Sequence, residues 1–438
     1  MSGQLIARWA AMMFVEKCLT DHLPLDQAFD QTCHHFEDKI TAQDKAFIRH
    51  LGTTCLRHLG QLDAMINHTT SRKLTGKQLV IRNILRLGIT QLLYMKVPAH
   101  AAVNSAVKMT NKQKNPSDRH AKGMVNAILR RIDREQEKFL TNFSPVQNLP
   151  KWLKDSWTDR YGKSEVENIA AALLIEPPFD FSFKPDIDRE DWAEKLGGTL
   201  LAHSSVRVGR PGSVQALPGY EDGLWWVQDV AASLPARLLG AKPGDHVLEF
   251  CAAPGGKTAQ LAASGCQVTA VDQSKRRLRR LRENMARLNL TCDVITSDAA
   301  DYVPDNNAHK KPDYILLDAP CSATGTLRRH PELSRSKSRK DIEALMVIQL
   351  QLLDHAVDLL PVGGKLIYCV CSMENEEGPA QIKSLLARNP TVKRNRISLA
   401  ELPGFEQAVL SSGDVQTLPH HIVGGMDGFF ISRLEKCS

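Results

Sequence analysis

The sequence predicts an α/β protein built on a doubly wound, mostly parallel sheet, preceded by an all-helical region and a small α+β module. Three observations carry this expectation. From about Asp222 onward, short apolar runs at 247–250, 268–271, 294–296, 314–317 and 365–368 alternate with helical patterns, the signature of parallel strands joined by crossover helices. A glycine-rich turn follows the first of these runs. The chain before Leu140, by contrast, shows only helical periodicity.

In that front region Thr41, followed three residues later by Asp44, reads as a capping-box helix start. Phe47, Ile48, Leu51, Cys55, Leu59, Leu62 and Met65 then recur at three- and four-residue steps and form one apolar face. Ile81, Leu85, Leu92 and Leu93 continue the pattern, and residues 98–107 and 125–131 close the set. A polar stretch at 133–150 reads as a linker. Residues 151–161 form a short amphipathic helix ending at Gly162. Residues 179–183 alternate apolar and polar, 190–196 read as helix and 205–208 as strand, giving the small α+β module. The expected domains are therefore 1–140, 150–222 and 223–438.

Length of 438 residues suits two or three domains. Apolar content of 42% and charged content of 24% are those of ordinary globular chains. A net charge of +7 suits a polyanionic partner without demanding one. Ten scattered cysteines do not form a dense disulfide framework and read as free thiols of a reducing compartment. Cys33-His34-His35 has no second ligand pair at zinc-like spacing, so no metal is expected. No apolar run reaches the roughly 18 residues of a membrane span, and residues 1–19 lack a secretory signal's apolar core, so the expected location is cytoplasmic. There is no long-period repeat.

Two motifs carry chemistry. Asp318-Ala319-Pro320-Cys321-Ser322 and Tyr368-Cys369-Val370-Cys371-Ser372 each follow an apolar run, which puts both at the carboxyl edge of one sheet. That edge is where open α/β sheets bind ligands. The turn Cys251-Ala252-Ala253-Pro254-Gly255-Gly256-Lys257-Thr258 shares it. Small residues there let the backbone approach a ligand, and Lys257 can face a carboxylate. The turn is neither a dinucleotide fingerprint nor a phosphate-cradling loop. Asp272 ends the next strand, placed for ribose hydroxyls, and Asp298 ends the third, placed near an adenine; each also fits an ordinary loop cap. A nucleotide-like cofactor and two thiols in one crevice suggest methyl transfer to a pyrimidine. Carbon 5 of cytosine is a poor nucleophile, and a thiolate adding to carbon 6 makes it enamine-like.

At these residues the sequence resembles the RsmB/Nop2/NSun family of RNA cytosine-5 methyltransferases. Matching segments are residues 247–258, 318–325 and 368–372 with the acidic 374–377, together with Arg328-Arg329-His330-Pro331-Glu332 and Asp427-Gly428-Phe429-Phe430. The resemblance implies a Rossmann-like class I methyltransferase core that binds S-adenosyl-L-methionine through Cys251, Ala252, Ala253, Pro254, Gly255, Gly256, Lys257, Asp272, Asp298 and Asp318. It implies a catalytic set of Cys371 as nucleophile, Cys321 assisting release and Asp318 contacting the base. Cytosine-5 DNA methyltransferases use a Pro-Cys cysteine instead, so the swapped assignment stands as the rival.

The front region resembles a NusB-like RNA-binding domain, which points to small-subunit ribosomal RNA. Transfer RNA, large-subunit RNA, or a catalytically silent assembly factor are the alternatives. The module at 150–222 is similar to the family's RRM-like unit. Arg328, Arg329 and His330 are expected RNA contacts, and no obligate protein partner is evident. The run Lys275-Arg276-Arg277, Arg279-Arg280 and Arg282 reads as a solvated face that could also grip phosphates. The sequence departs from the family pattern at Glu249 (usually Asp), Ala323 (usually Gly) and Val370 (often Thr). The last of these is expected to alter how the thiolate is hydrogen-bonded.

Overall fold

The apolar stripes of the first 140 residues become helices because each can bury its stripe only against its neighbours. The computed structural model describes residues 3–438 apart from Arg72, Thr75, His203, Ser204, Pro211 and 305–311. The chain divides into two units, Met1–Leu174 with Leu327–Ser338, and Ile175–Thr326 with Arg339–Ser438.

The first unit is helical, with Gly3–Leu19, Ala42–Arg57, Leu59–Thr69, Leu79–Leu93, Ala99–Asn111 and Lys122–Arg134 surrounding a core of Phe14, Ile48, Leu51, Leu62, Met65, Ile84, Leu85 and Leu129. The capping box forms as expected: Asp44 N donates to Thr41 Oγ1 at 3.2 Å and Thr41 N donates to Asp44 Oδ2 at 2.9 Å. The apolar face at 47–65 is not one helix, because the backbone breaks at His58 (φ −98°, ψ 14°) between two helices. Arg82 and Arg86 are buried in this unit and both donate to Asp63, at 2.8 and 2.7 Å.

Two boundaries differ from expectation. The stretch 133–150 is no loose linker: Gln136–Asn142 is helical, and Phe139 and Leu149 are buried. The unit then runs on through the helices Lys151–Tyr161 and Lys163–Leu173. It also takes in Leu327–Ser338, a segment that follows the Pro-Cys loop in sequence. Arg57 Nη2 donates to the Arg328 carbonyl at 3.0 Å, Leu25 N to Glu332 Oε1 at 3.1 Å, and Arg335 Nη2 to the Asn148 carbonyl at 3.1 Å.

The second unit holds two sheets. The strands are β1 Phe179–Phe183, β2 Thr199–Leu200, β3 Val206–Val208, β4 Trp225–Val227, β5 His246–Phe250, β6 Gln267–Asp272, β7 Asp293–Thr296, β8 Tyr314–Asp318, β9 Lys365–Val370, β10 Val392–Arg394, β11 Val415–Gln416 and β12 Phe430–Lys436. The small sheet runs β2-β3-β1-β4 and is antiparallel. It falls in the same compact unit as the large sheet. Buried Asp180 accepts from Arg207 Nε at 2.7 Å and from Val230 N at 3.1 Å, tying the sheet to the helix Val230–Leu239.

The large sheet runs β10-β12-β9-β8-β5-β6-β7, with β11 on β12. Strands β5 to β9 are mutually parallel where they pair, and β12 is antiparallel to β9. The strand order reverses at β5, so the carboxyl ends of β5, β6, β8 and β9 open onto a topological switch point, where such sheets bind ligands. No helix among the described residues is long and apolar enough to cross a membrane.

Candidate active site

Parallel strands buried on both faces end where the chain turns out of the sheet, and that is where the chemistry-bearing residues sit. Cys251 follows β5, Asp272 ends β6, Asp318 ends β8 and Cys371 follows β9. A cavity of about 380 Å³ is lined by Cys251, Asp272, Asp298, Asp318, Cys321 and Cys371. Residues that the motif reading did not single out, Gln273, Ile348, Gln351 and Leu352 among them, complete its wall.

The glycine-rich turn shapes this cavity from behind. Gly255 has φ 99°, and a Cβ there would lie 2.9 Å from Leu281 Cγ, so only glycine fits. Ala252, Ala253, Pro254, Gly255, Gly256 and Lys257 do not line the cavity themselves. Asp272, nearly fully buried, accepts from Ser274 N at 2.8 Å and Ala253 N at 3.3 Å, with Arg277 Nη1 3.3 Å away. Its carboxylate therefore caps its own loop, fixes the glycine-rich turn and still faces the cavity. Asp298 lies beyond the end of β7, is exposed, and accepts from Ala300 N at 3.0 Å.

Lys257 faces a carboxylate of the chain itself. Its buried Nζ donates to Asp318 Oδ2 at 2.8 Å. Burial lowers its pKa, but Asp318 outweighs that and holds the ammonium charged. The lysine thus pins the carboxylate at the lip of the cavity. Cys369, fully buried, donates from its thiol to Asp318 Oδ1 at 3.5 Å. Burial and then Asp318 push that thiol well above the usual range, which makes it a structural group and not a competing nucleophile. Glu249 is buried beneath the turn, accepts from Thr258 Oγ1 at 2.6 Å, and is raised by burial to about 8.

The two remaining thiols meet: Cys321 Sγ and Cys371 Sγ are 3.5 Å apart. Cys321 is raised well above the ordinary thiol range, first by its hydrogen bond with Cys371 and then by burial. Backbone bonds hold the loops together. Ala319 N donates to the Cys369 carbonyl at 2.9 Å, and Gly325 N to the Cys371 carbonyl at 3.0 Å. A Cβ at Gly325 would sit 1.8 Å from the Gly428 carbonyl oxygen, which explains why the two glycine motifs belong to one site.

Two departures from the family pattern now have physical readings. Val370 packs with Leu366 and Tyr368 in one apolar layer, while Cys369 and Cys371 pack in the other. A hydroxyl lost at position 370 therefore lies on the layer opposite Cys371, the one that Cys321 packs against. Ala323 adopts φ 59°, the left-handed region where glycine costs nothing and alanine about 1 kcal/mol.

The expected RNA contacts separate. Arg328 is fully buried, and as it lies here its side chain cannot reach a phosphate or base. Arg329 and His330 are half-buried, and His330 Nδ1 lies 3.5 Å from Glu332. On the helix Lys275–Arg287, Leu278, Leu281 and Met285 are buried and the basic side chains from Lys275 to Arg282 face solvent. The ten cysteines are all free thiols.

Residues 236–435 match the family model of 16S rRNA methyltransferase RsmB/F, and residues 5–134 match that of the NusB family. The chain is 35% identical over 413 residues to ribosomal RNA small subunit methyltransferase B of Escherichia coli (strain K12), covering 91% of this chain and 92% of that protein. The crystal structure of PH0851 shares the fold, with a TM-score of 0.75 at 21% identity over 100% of this chain and 99% of that one. NSun6 from Pyrococcus horikoshii, solved with SFG, gives a TM-score of 0.56 at 22% identity over 66% of this chain and 98% of that one.

Proposed function

The chain belongs to the RsmB/F family of 16S rRNA methyltransferases, and on that premise we propose that it methylates carbon 5 of a cytosine in small-subunit ribosomal RNA in the cytoplasm. The observation that carries the reading is the pair of thiols 3.5 Å apart at the rim of a cavity that also holds Asp272, Asp298 and Asp318.

The cavity suits S-adenosyl-L-methionine. Its 380 Å³ falls within the roughly 300–1,000 Å³ of small-molecule sites. Asp272 and Asp298 offer acceptors for hydroxyl and amino groups, and Cys251 and Arg277 line the same wall. When bound, the cofactor supplies an electrophilic methyl group.

This chain's residues do the rest. The resemblance gives the nucleophile's role to Cys371 of the Cys-Ser motif, and the hydrogen bond with Cys371 together with burial raises the Cys321 thiol above its ordinary range. The Cys371 sulfur forms a bond to carbon 6, and the ring electrons it displaces make carbon 5 nucleophilic. Asp318, held by Lys257 and Cys369, is positioned to accept a hydrogen bond from the cytosine amino group. After carbon 5 is methylated, a base, solvent water at the open cavity, takes its proton. That bond's electrons re-form the carbon 5–carbon 6 double bond, and the sulfur–carbon 6 pair returns to Cys371. The Cys321 thiol lies within hydrogen-bond reach of that departing sulfur. The target nucleotide must leave its stack to enter.

The test is a denaturing gel of Cys321→Ala and Cys371→Ala incubated with small-subunit RNA and cofactor. A covalent protein–RNA band from Cys321→Ala alone is expected. A band from Cys371→Ala alone would reverse the two roles. Absence of any band, with no methylation of small-subunit, large-subunit or transfer RNA by the parent protein, would favour an assembly factor.

A further inference from the structure

Each reacting cysteine is followed by a serine, Ser322 and Ser372. One buried carboxyl group gathers both. Glu377 is fully buried; its Oε1 accepts from Ser322 N at 2.8 Å and from Gln349 Nε2 at 3.1 Å. Its Oε2 accepts from Ser372 Oγ at 2.5 Å and from Ser322 Oγ. The two hydroxyls are 3.2 Å from each other. Around this knot, Gln349 Nε2 also donates to the Pro320 carbonyl at 2.9 Å, Tyr368 Oη donates to the Glu377 carbonyl at 2.6 Å, and Met373 N donates to Thr324 Oγ1 at 3.0 Å.

Four donors from three elements thus converge on one side chain: two from the Pro-Cys loop, one from the Cys-Ser loop and one from the helix Arg339–Leu359. The backbone bonds at Ala319 and Gly325 already join the loops at either end. Glu377 braces the stretch between them, where the thiols sit. A buried carboxyl group is costly unless its acceptor sites are filled, and the two cysteine loops supply three of the four donors that fill them here. The arrangement is therefore better explained by a need to fix the two loops against each other than by stability alone.

We propose that Glu377 is a positioning residue that sets the spacing of Cys321 and Cys371, and that it acts on product release, the step that needs both sulfurs, more than on addition, which needs one. This rests on the reading that Cys371 adds and Cys321 assists release. Glu377 touches neither RNA nor cofactor in this role; it works through Ser322 and Ser372. Gln349, which bonds both Glu377 and Pro320, supports it.

The experiment compares Glu377→Gln and the double variant Ser322→Ala/Ser372→Ala with the parent protein, each as the full chain. One readout is the ratio of trapped protein–RNA adduct to released methylated RNA, set beside methyl transfer in a single turnover. The expected result is a rise of about tenfold in adduct over product, with single-turnover transfer within about threefold of the parent. A second readout needs neither RNA nor cofactor: bridging of the two thiols by a trivalent arsenical, measured by intact mass. Parent protein should bridge, and both variants should bridge at least several-fold more slowly at unchanged thermal midpoint.

An unchanged adduct ratio together with unchanged bridging overturns the proposal, as does an equal loss in both chemical steps. If Cys321→Ala itself traps no adduct, the assignment of the two cysteines fails, and the bridging rates alone then decide whether Glu377 spaces the thiols. Should Glu377→Gln not fold, the serine pair, which leaves the carboxyl two donors, carries the same two expectations.

Discussion

Asp63 in the helical unit and Glu249 in the sheet unit are both carboxylates withdrawn from water, and they end in opposite states. Burial raises the pKa of Asp63, but Arg86 and Arg82 outweigh it and hold the group below the ordinary carboxylate range. Glu249 has a threonine hydroxyl for a hydrogen-bond partner, and burial pushes it up to about 8. The difference is what the neighbouring cation is doing. In the helical unit both arginines are spent on the carboxylate. At the sheet edge the nearby cation, Lys257, is committed to Asp318 instead. Saturated charge marks a structural joint; two acidic groups, Glu249 and Asp318, around one lysine mark a site.

The largest expected effect falls on the sheet edge. Cys371→Ala should lower methylation by more than roughly 10³-fold, the scale of losing a covalent nucleophile, with the thermal midpoint unchanged. Incorporation of labelled methyl per folded molecule is the measurement. A loss matched by unfolding would erase the distinction between a site and a joint.

Next comes the joint itself. Asp63→Ala leaves Arg82 and Arg86 buried without their shared acceptor and should cost about 3 kcal/mol, read by denaturant unfolding. Methyl transfer per folded molecule should hold. Equal stability would mean that the arginines find other acceptors.

The pH dependence separates the two carboxylates directly. Glu249 binds its proton more tightly folded, at about 8, than unfolded, at its ordinary 4.5. Stability therefore falls as pH rises from 4.5 through 8. Glu249→Gln should flatten that slope and be at least as stable as the parent at pH 8, by calorimetry across the range. Asp63, lowered in the fold, works in the other direction: its contribution is present above its ordinary value and is lost as pH falls through the folded one. A slope that survives Glu249→Gln places its source elsewhere.

The smallest effect is local. Ala323→Gly relieves the left-handed backbone at φ 59° and should gain up to about 1 kcal/mol, part of it offset by the greater freedom of glycine in the unfolded chain. Chemical denaturation resolves it. A loss would show that the methyl group fills needed space beside Cys321.

Much of this was legible in the chain, because it is written in local chemistry. The Thr41–Asp44 cap, the strand runs and the turn at 251–258 declare themselves within a few residues. So did the acidic run 374–377 and the serine after each cysteine, although without a role, since neither shows its partner. Other features misled for the same reason. Arg328-Arg329-His330 reads as a basic surface, yet Arg328 is fully buried, its carbonyl paired with Arg57 from 271 residues away. The stripe at 47–65 keeps helical spacing across a break, because periodicity does not register a change of axis at His58.

By itself, then, the sequence determined the order of elements, the edge on which the reactive groups would gather and the identity of the two thiols. These follow from side-chain period, turn chemistry and the rule that parallel strands end on one edge. Only the tertiary structure decided which charges neutralise which, that Leu327–Ser338 belongs to the helical unit and that Glu377 lies beneath both cysteine loops. Those facts depend on contacts between residues far apart in the chain, and an ion pair or a buried acceptor has no meaning until its partner is in place.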